Sequence, residues 1–255
     1  MHSAFEPVQR HNPEASELKS VAMKIGILQT GHCPDEFRGQ YGNYDEFFKR
    51  LLAGNDFGYE TYPVLDGVFP ADCRDMDGWI ITGSKHGVYE DHDWISRLES
   101  FLQDAFAAAV PIVGICFGHQ LLAQALGGKV EKFEGGWSVG VEAYSLDGHD
   151  EDAQLIAWHQ DQVIEPPPGA SVVGASAFCR YAALAYGDQA YSIQPHPEFD
   201  AGFVAGLIQS RSGILPQDVA DKAIASLSLE TSSVKIALQI AEFFKRARTP
   251  DALND

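Results

Sequence analysis

PIVGICFGHQLLAQALGG, residues 111–128, decides the fold. The first five residues are an apolar run of strand length, and the segment from Phe117 to Leu126 carries its apolar residues at helical spacing. A buried strand therefore hands over directly to a helix. Cys116 stands at the handover, with Gly114 and Gly118 two residues to either side. A side chain on such a turn projects above the carboxyl edge of the sheet, where ligand sites of doubly wound α/β folds lie. The helix N-terminus beneath it offers free N–H groups and a positive dipole end, which stabilise a thiolate and can bind an oxyanion. Cysteine is also a small core hydrophobe, so the turn alone leaves both readings open.

Working outward, KIGILQ (24–29), YETYPV, DGWIIT and PIVGI read as strands, with TGHCPDEFRG as a loop. Between them, Tyr44, Phe47, Phe48, Leu51 and Leu52 share one helical face that stops at Gly54. A second helix, with Asp93 as its N-cap, carries Trp94, Leu98, Phe101, Leu102, Ala105 and Phe106. Strands alternating with amphipathic helices predict a doubly wound α/β domain with flavodoxin-like layering. After Lys129 the segments KVEKF, SVGVEAYSL, AQLIAW, SVVGAS, YAALAY and AYSIQ are short and strand-like, and are expected to extend that one sheet with antiparallel and mixed strands. The last 45 residues read as helical, with Pro216 at a first helical position. The expected organisation is a flexible extension over 1–22, one domain with a mixed, mostly parallel sheet over 23–212, and helices over 213–255 packed on it.

Composition narrows the function classes. Thirty-six acidic residues against 18 basic ones give a net charge of −18, and no basic block tracks phosphates, so nucleic acid and anionic membrane are not expected partners. No apolar stretch has the ~20 residues that span a bilayer. Residues 1–20 lack the apolar core of a signal peptide. The four cysteines lie 40, 43 and 63 residues apart, matching neither a zinc pattern nor a disulfide framework, and a reducing cytoplasm fits.

A thiol nucleophile needs a base and a group that holds the base. SIQPHPEF supplies both: His196 follows a strand-like run and Glu198 stands two residues on, on the same side of an extended segment. Of the eight other histidines, His86 and His92 in KHGVYEDHDW raise the question of a metal site, but the acidic residues around them favour a solvated loop, and no metal is expected.

GICFGHQLLAQALGG followed about 80 residues later by PHPEF resembles the class I glutamine amidotransferases, particularly stand-alone relatives of the glutaminase domain of GMP synthase. The resemblance spans about Lys24 to Ile208 and implies a Cys116–His196–Glu198 triad. It also implies an oxyanion hole from Gly83, Ser84 and Phe117, with ITGSK standing where the family has two glycines in a row. Serine at 84 questions any backbone angle that only glycine tolerates. Gln120 matches a family glutamine beside the substrate, and WHQD brings in His159 and Asp161, for which a turn-stabilising role stands beside substrate binding.

The implied chemistry is thioester hydrolysis of a γ-glutamyl amide without metal or organic cofactor, releasing ammonia and glutamate from glutamine. Three readings follow: a glutaminase serving a separate synthetase subunit, a self-sufficient γ-glutamyl peptidase, and a silent binding or regulatory protein. The chain shows no nucleotide loop such as SGGVDS, and the complete triad weighs against the silent reading.

Overall fold

The computed structural model describes residues 22–211 and 213–247. Ala22 apart, the extension read over 1–22 lies outside the described residues. Five strands run parallel in the order β2 (Phe57–Tyr62), β1 (Met23–Leu28), β3 (Gly78–Ile81), β4 (Ile112–Ile115) and β11 (Ala190–Ile193). The sheet continues antiparallel through β10 (Ala183–Tyr186), β9 (Ser171–Ala175), β6 (Ser138–Leu146) and β7 (Ala153–His159), giving nine strands. The chain is thus an α/β domain with a mixed central sheet, parallel in the half that carries the elbow.

Alternation along the parallel strands sends residues to two cores. Ile25, Ile27, Ile80, Val113 and Ile115 meet Phe48 of α2 (Tyr44–Leu51) and Ile236, Ile240 and Phe244 of α7 (Ser233–Ala247). Leu28, Trp79, Ile81 and Ile112 face the other way, onto α3 (Asp93–Ala107) and α4 (Phe117–Ala125). Each large side chain buried here contributes about 1.5–3 kcal/mol. Gly78 is where the C-terminal helix docks: a Cβ there would lie 2.7 Å from the Phe244 ring, so glycine is what lets the helix sit on the sheet. The C-terminal helices therefore share the domain's cores. Leu215, Ala220 and Ala223, around α6 (Gln217–Ser226), pack with Phe203 and Val204 of α5 (Ala201–Ser210).

Several local expectations are corrected. Residues 35–39, part of the TGHCPDEFRG stretch read as loop, belong to the short helix α1 (Asp35–Tyr41); it buries no residue, so no apolar periodicity announced it. KVEKF does not join the main sheet: β5 (Lys129–Lys132) pairs antiparallel with β8 (Asp161–Glu165) in a separate two-stranded ribbon. Asp93 and Pro216 each stand one residue from the expected place, because His92 caps α3 and Pro216 itself caps α6.

Candidate active site

The elbow is built by close backbone packing. A Cβ on Gly114 would lie 2.4 Å from the Gly118 carbonyl oxygen, and one on Gly118 would lie 2.5 Å from the Ile81 carbonyl oxygen. Only glycine at both positions lets α4 start directly against β3 and β4. Cys116 caps α4 at φ 53° and ψ −103°, a left-handed φ that a side chain adopts at a cost of about 1–3 kcal/mol. Its N–H donates to the Ile193 carbonyl (2.9 Å), tying the strained residue to β11. Cys116 is 6% exposed, and its Sγ lies 3.9 Å from the Trp158 carbonyl oxygen.

His196 reaches the elbow from the segment after β11. Its N–H donates to the Ile156 carbonyl (2.8 Å), which pins that segment to β7. The ring lies parallel on Phe199, with centroids 4.1 Å apart. Nδ1 and Glu198 Oε1 are 2.7 Å apart, with the two side chains 3% and 2% exposed. Nε2 is buried and closes no hydrogen bond. Burial alone would push the imidazolium toward neutrality; the negative charges of Cys116 and then Glu198 outweigh it and hold the pKa up at about 10. The other thiols differ in kind: burial raises those of Cys33, Cys73 and Cys179, the last to about 12.

A cleft of about 340 Å³ opens over the thiol. Apart from Glu198, which stands behind His196, every site residue named from the sequence lines it: Gly83, Ser84, Cys116, Phe117, Gln120, His159, Asp161 and His196. A Cβ on Gly83 would lie 3.0 Å from His196 Cε1, so a larger residue at that position would crowd the imidazole. The Gly83 carbonyl is held from behind by the Thr30 and Thr82 hydroxyls, each at 3.1 Å. The concern over serine at 84 is answered by the backbone: among the described residues only Asp56, Ala109 and Cys116 are non-glycines with positive φ.

Gln120 Nε2 donates to the Asp161 carbonyl (2.8 Å) and to Gln194 Oε1 (3.1 Å), which fixes the amide at the cleft floor. His159 Nδ1 donates to the same carbonyl (3.3 Å), so it both stabilises the turn and faces the cleft. Burial, reinforced by His196, pushes His159 down to about 3 and keeps it neutral. Burial raises the Asp161 carboxyl, which accepts from the Tyr89 hydroxyl (3.1 Å).

The family profile described as glutamine amidotransferase class-I matches residues 67–203. The chain belongs to that family. Gamma-glutamyl peptidase 3 of Arabidopsis thaliana is 29% identical over 76% of this chain and 86% of its own length. The GMP synthase of Clostridium kluyveri is 31% identical over 62% of this chain, but over only 32% of its own length. The solved structure of a glutamine amidotransferase from Methylobacillus flagellatus superposes with a TM-score of 0.69 at 20% identity, covering 89% of this chain and 96% of that one.

This class-I glutamine amidotransferase domain brings further residues to its cleft that the sequence reading passed over. Tyr44, read only as part of a helix face, lines the cleft, and its hydroxyl is held protonated chiefly by burial. Trp137 and Trp158 form part of the wall, and Lys85, Lys132 and Arg211 place three cations around it in a chain of net charge −18. Lys85 closes the ITGSK stretch and Trp158 opens WHQD, while Tyr44, Trp137, Lys132 and Arg211 lie outside the motifs and are gathered by tertiary folding. His119, beside Cys116 in sequence, serves packing instead: it is fully buried, its Nδ1 is 2.8 Å from Ser192 Oγ, and burial pushes it down to about 4. Among the described residues no helix is long and apolar enough to cross a membrane.

Proposed function

We propose that the protein is an amidohydrolase that cleaves γ-glutamyl amides through a thioester on Cys116. The observation that carries the reading is the strained thiol at the N-terminus of α4, sharing a cleft with a buried imidazole that is bonded at 2.7 Å to a buried carboxylate. Cys116 thiolate attacks the γ-carbonyl carbon, and the resulting oxyanion takes hydrogen bonds from the N–H groups of Gly83, Ser84 and Phe117. The C–N bond then breaks as His196 Nε2–H protonates the departing amine, leaving a γ-glutamyl thioester. His196, now neutral, takes a proton from water; hydroxide adds to the thioester carbon, and collapse releases glutamate and regenerates the thiolate–imidazolium pair. Glu198 orients the ring and stabilises its charge in both halves. Gln120, His159 and Asp161 shape the glutamyl side, and the cations of the cleft suit its carboxylate.

Glutamine leads on the family motifs. Two observations move γ-glutamyl peptides ahead of it: the peptidase relative matches along most of its length, and the cleft extends from the thiol to Trp137, Trp158 and Arg211, giving room for a leaving group larger than ammonia. All four cysteines are free, which suits a reducing cytoplasm. The test is turnover by the purified chain of glutamine and of a γ-glutamyl dipeptide, each with and without a co-encoded synthetase. Dipeptide cleavage without help supports the peptidase, glutamine turnover stimulated by the added chain supports a glutaminase subunit, and neither activity under any condition overturns the catalytic reading.

A further inference from the structure

The loop that leaves Gly83 and Ser84 carries three ligand-type side chains aimed at one spot. His86 Nδ1 lies 2.8 Å from Glu90 Oε2, His92 Nε2 lies 3.0 Å from the same oxygen, and the two ring nitrogens are 3.1 Å apart. Hydrogen bonding does not satisfy that triangle while both imidazoles are neutral. If both nitrogens carry protons and donate to the carboxylate, they face each other N–H against N–H; if one does not, its lone pair meets the oxygen's or is left to the other ring. A cation at the centre uses all three lone pairs at once.

The donor set and its surroundings fit such an ion. Two imidazoles and a carboxylate are a known zinc set with a fourth position left open, and bonds of about 2.0–2.2 Å put tetrahedral ligand atoms about 3.3–3.6 Å apart. The observed edges need to widen by about 0.2–0.8 Å, most along the 2.8 Å edge between His86 and Glu90. Glu90 is already oriented from behind, since its Oε1 accepts the Gly87 N–H at 2.9 Å, the kind of outer bond that fixes a ligating carboxylate. The rings are packed as well: His86 stands edge-on to His92, and His92 lies nearly parallel to Trp94, at 16°.

We propose that His86, Glu90 and His92 form a divalent metal site of the zinc class at the lip of the cleft. His86 and Glu90 both line the cleft, and the His86 N–H donates to Ser84 Oγ at 3.3 Å. A bound ion therefore ties together the loop that runs out of the Gly83–Ser84 segment. The proposal revises the solvated-loop reading of the sequence and stands whether or not the hydrolase reading does.

Equilibrium dialysis of metal-free protein against zinc chloride tests it, with Cys116→Ser as the background so that the thiol is not the ligand. One zinc per chain is expected there, with binding weakened at least tenfold in His92→Ala and in Glu90→Gln. Zinc is expected to raise the melting temperature of the background protein and not that of the His92 variant. The zinc-free melt of each variant shows that it folds, and His92→Gln serves if the alanine variant does not. Absence of saturable binding at sub-millimolar zinc, or binding that survives His92→Ala and Glu90→Gln unchanged, overturns the site.

Discussion

Replacing Glu198 by glutamine isolates the charge of the proposed triad's third member, because the amide can still offer an oxygen at the 2.7 Å position beside His196 Nδ1. The two side chains are 3% and 2% exposed, so water does not compete for that bond. A hydrogen bond to a charged group contributes about 1.5–3 kcal/mol and a neutral one about 0.5–1.5, so the substitution removes about 1–1.5 kcal/mol of imidazolium stabilisation. That corresponds to about one unit of pKa and about tenfold in rate. The Cys116 thiolate, the larger of the two charges holding His196 up, remains. The ion pair should survive in weakened form, whereas His196→Ala removes acid and base together and should lose about 100- to 10,000-fold. The assay is kcat/KM for a γ-glutamyl dipeptide against pH, with the alkaline limb moving down by about one unit in Glu198→Gln from its wild-type position near the His196 value of about 10. Equal losses in the two variants, or an alkaline limb that does not move, would refute the role given to the Glu198 charge.

Three further outcomes are expected. A diazo-ketone analogue of glutamine should label the protein once, at Cys116, with labelling abolished in Cys116→Ala, because burial keeps the thiols of Cys33, Cys73 and Cys179 protonated; labelling undiminished in that variant would sink the assignment. Gly118→Ala places a methyl group 2.5 Å from the Ile81 carbonyl oxygen and should lower urea stability by about 3 kcal/mol, and a wild-type midpoint would contradict the packing described for the elbow. His119 and His159 are depressed to about 4 and about 3, below the ~6.5 of an unfolded imidazole, so their contribution is complete above about pH 6.5 and is lost as pH falls toward their folded values. Urea unfolding near pH 5 should therefore show uptake of about two protons by these two residues, falling by about one in His119→Gln, and a flat profile would contradict it; His196, raised instead, adds no slope there, since its contribution is complete below about pH 6 and is lost as pH rises from there toward about 10.

The elbow was legible because its physics is local: an apolar strand, a glycine on each side of Cys116, and a helix beginning at once all lie within one stretch of sequence. His196 and Glu198 were legible for the same reason, two residues apart on an extended segment. The cleft walls were not, because Tyr44, Trp137 and Arg211 come from separate parts of the chain and only packing gathers them. Helix α1 escaped because it buries nothing, and periodicity that marks β5 as a strand carries no information on which partner it pairs with. The cluster at His86, Glu90 and His92 was visible as composition but not as convergence, since a loop's path sets whether its histidines meet.

The most direct test of the thioester mechanism is acid quenching of the protein during turnover of a γ-glutamyl dipeptide, followed by mass spectrometry of the peptide that contains Cys116. A γ-glutamyl adduct on Cys116 of the wild-type protein, absent in Cys116→Ser, is the expected result. Sustained dipeptide cleavage by Cys116→Ser, with no adduct on any variant, would contradict it.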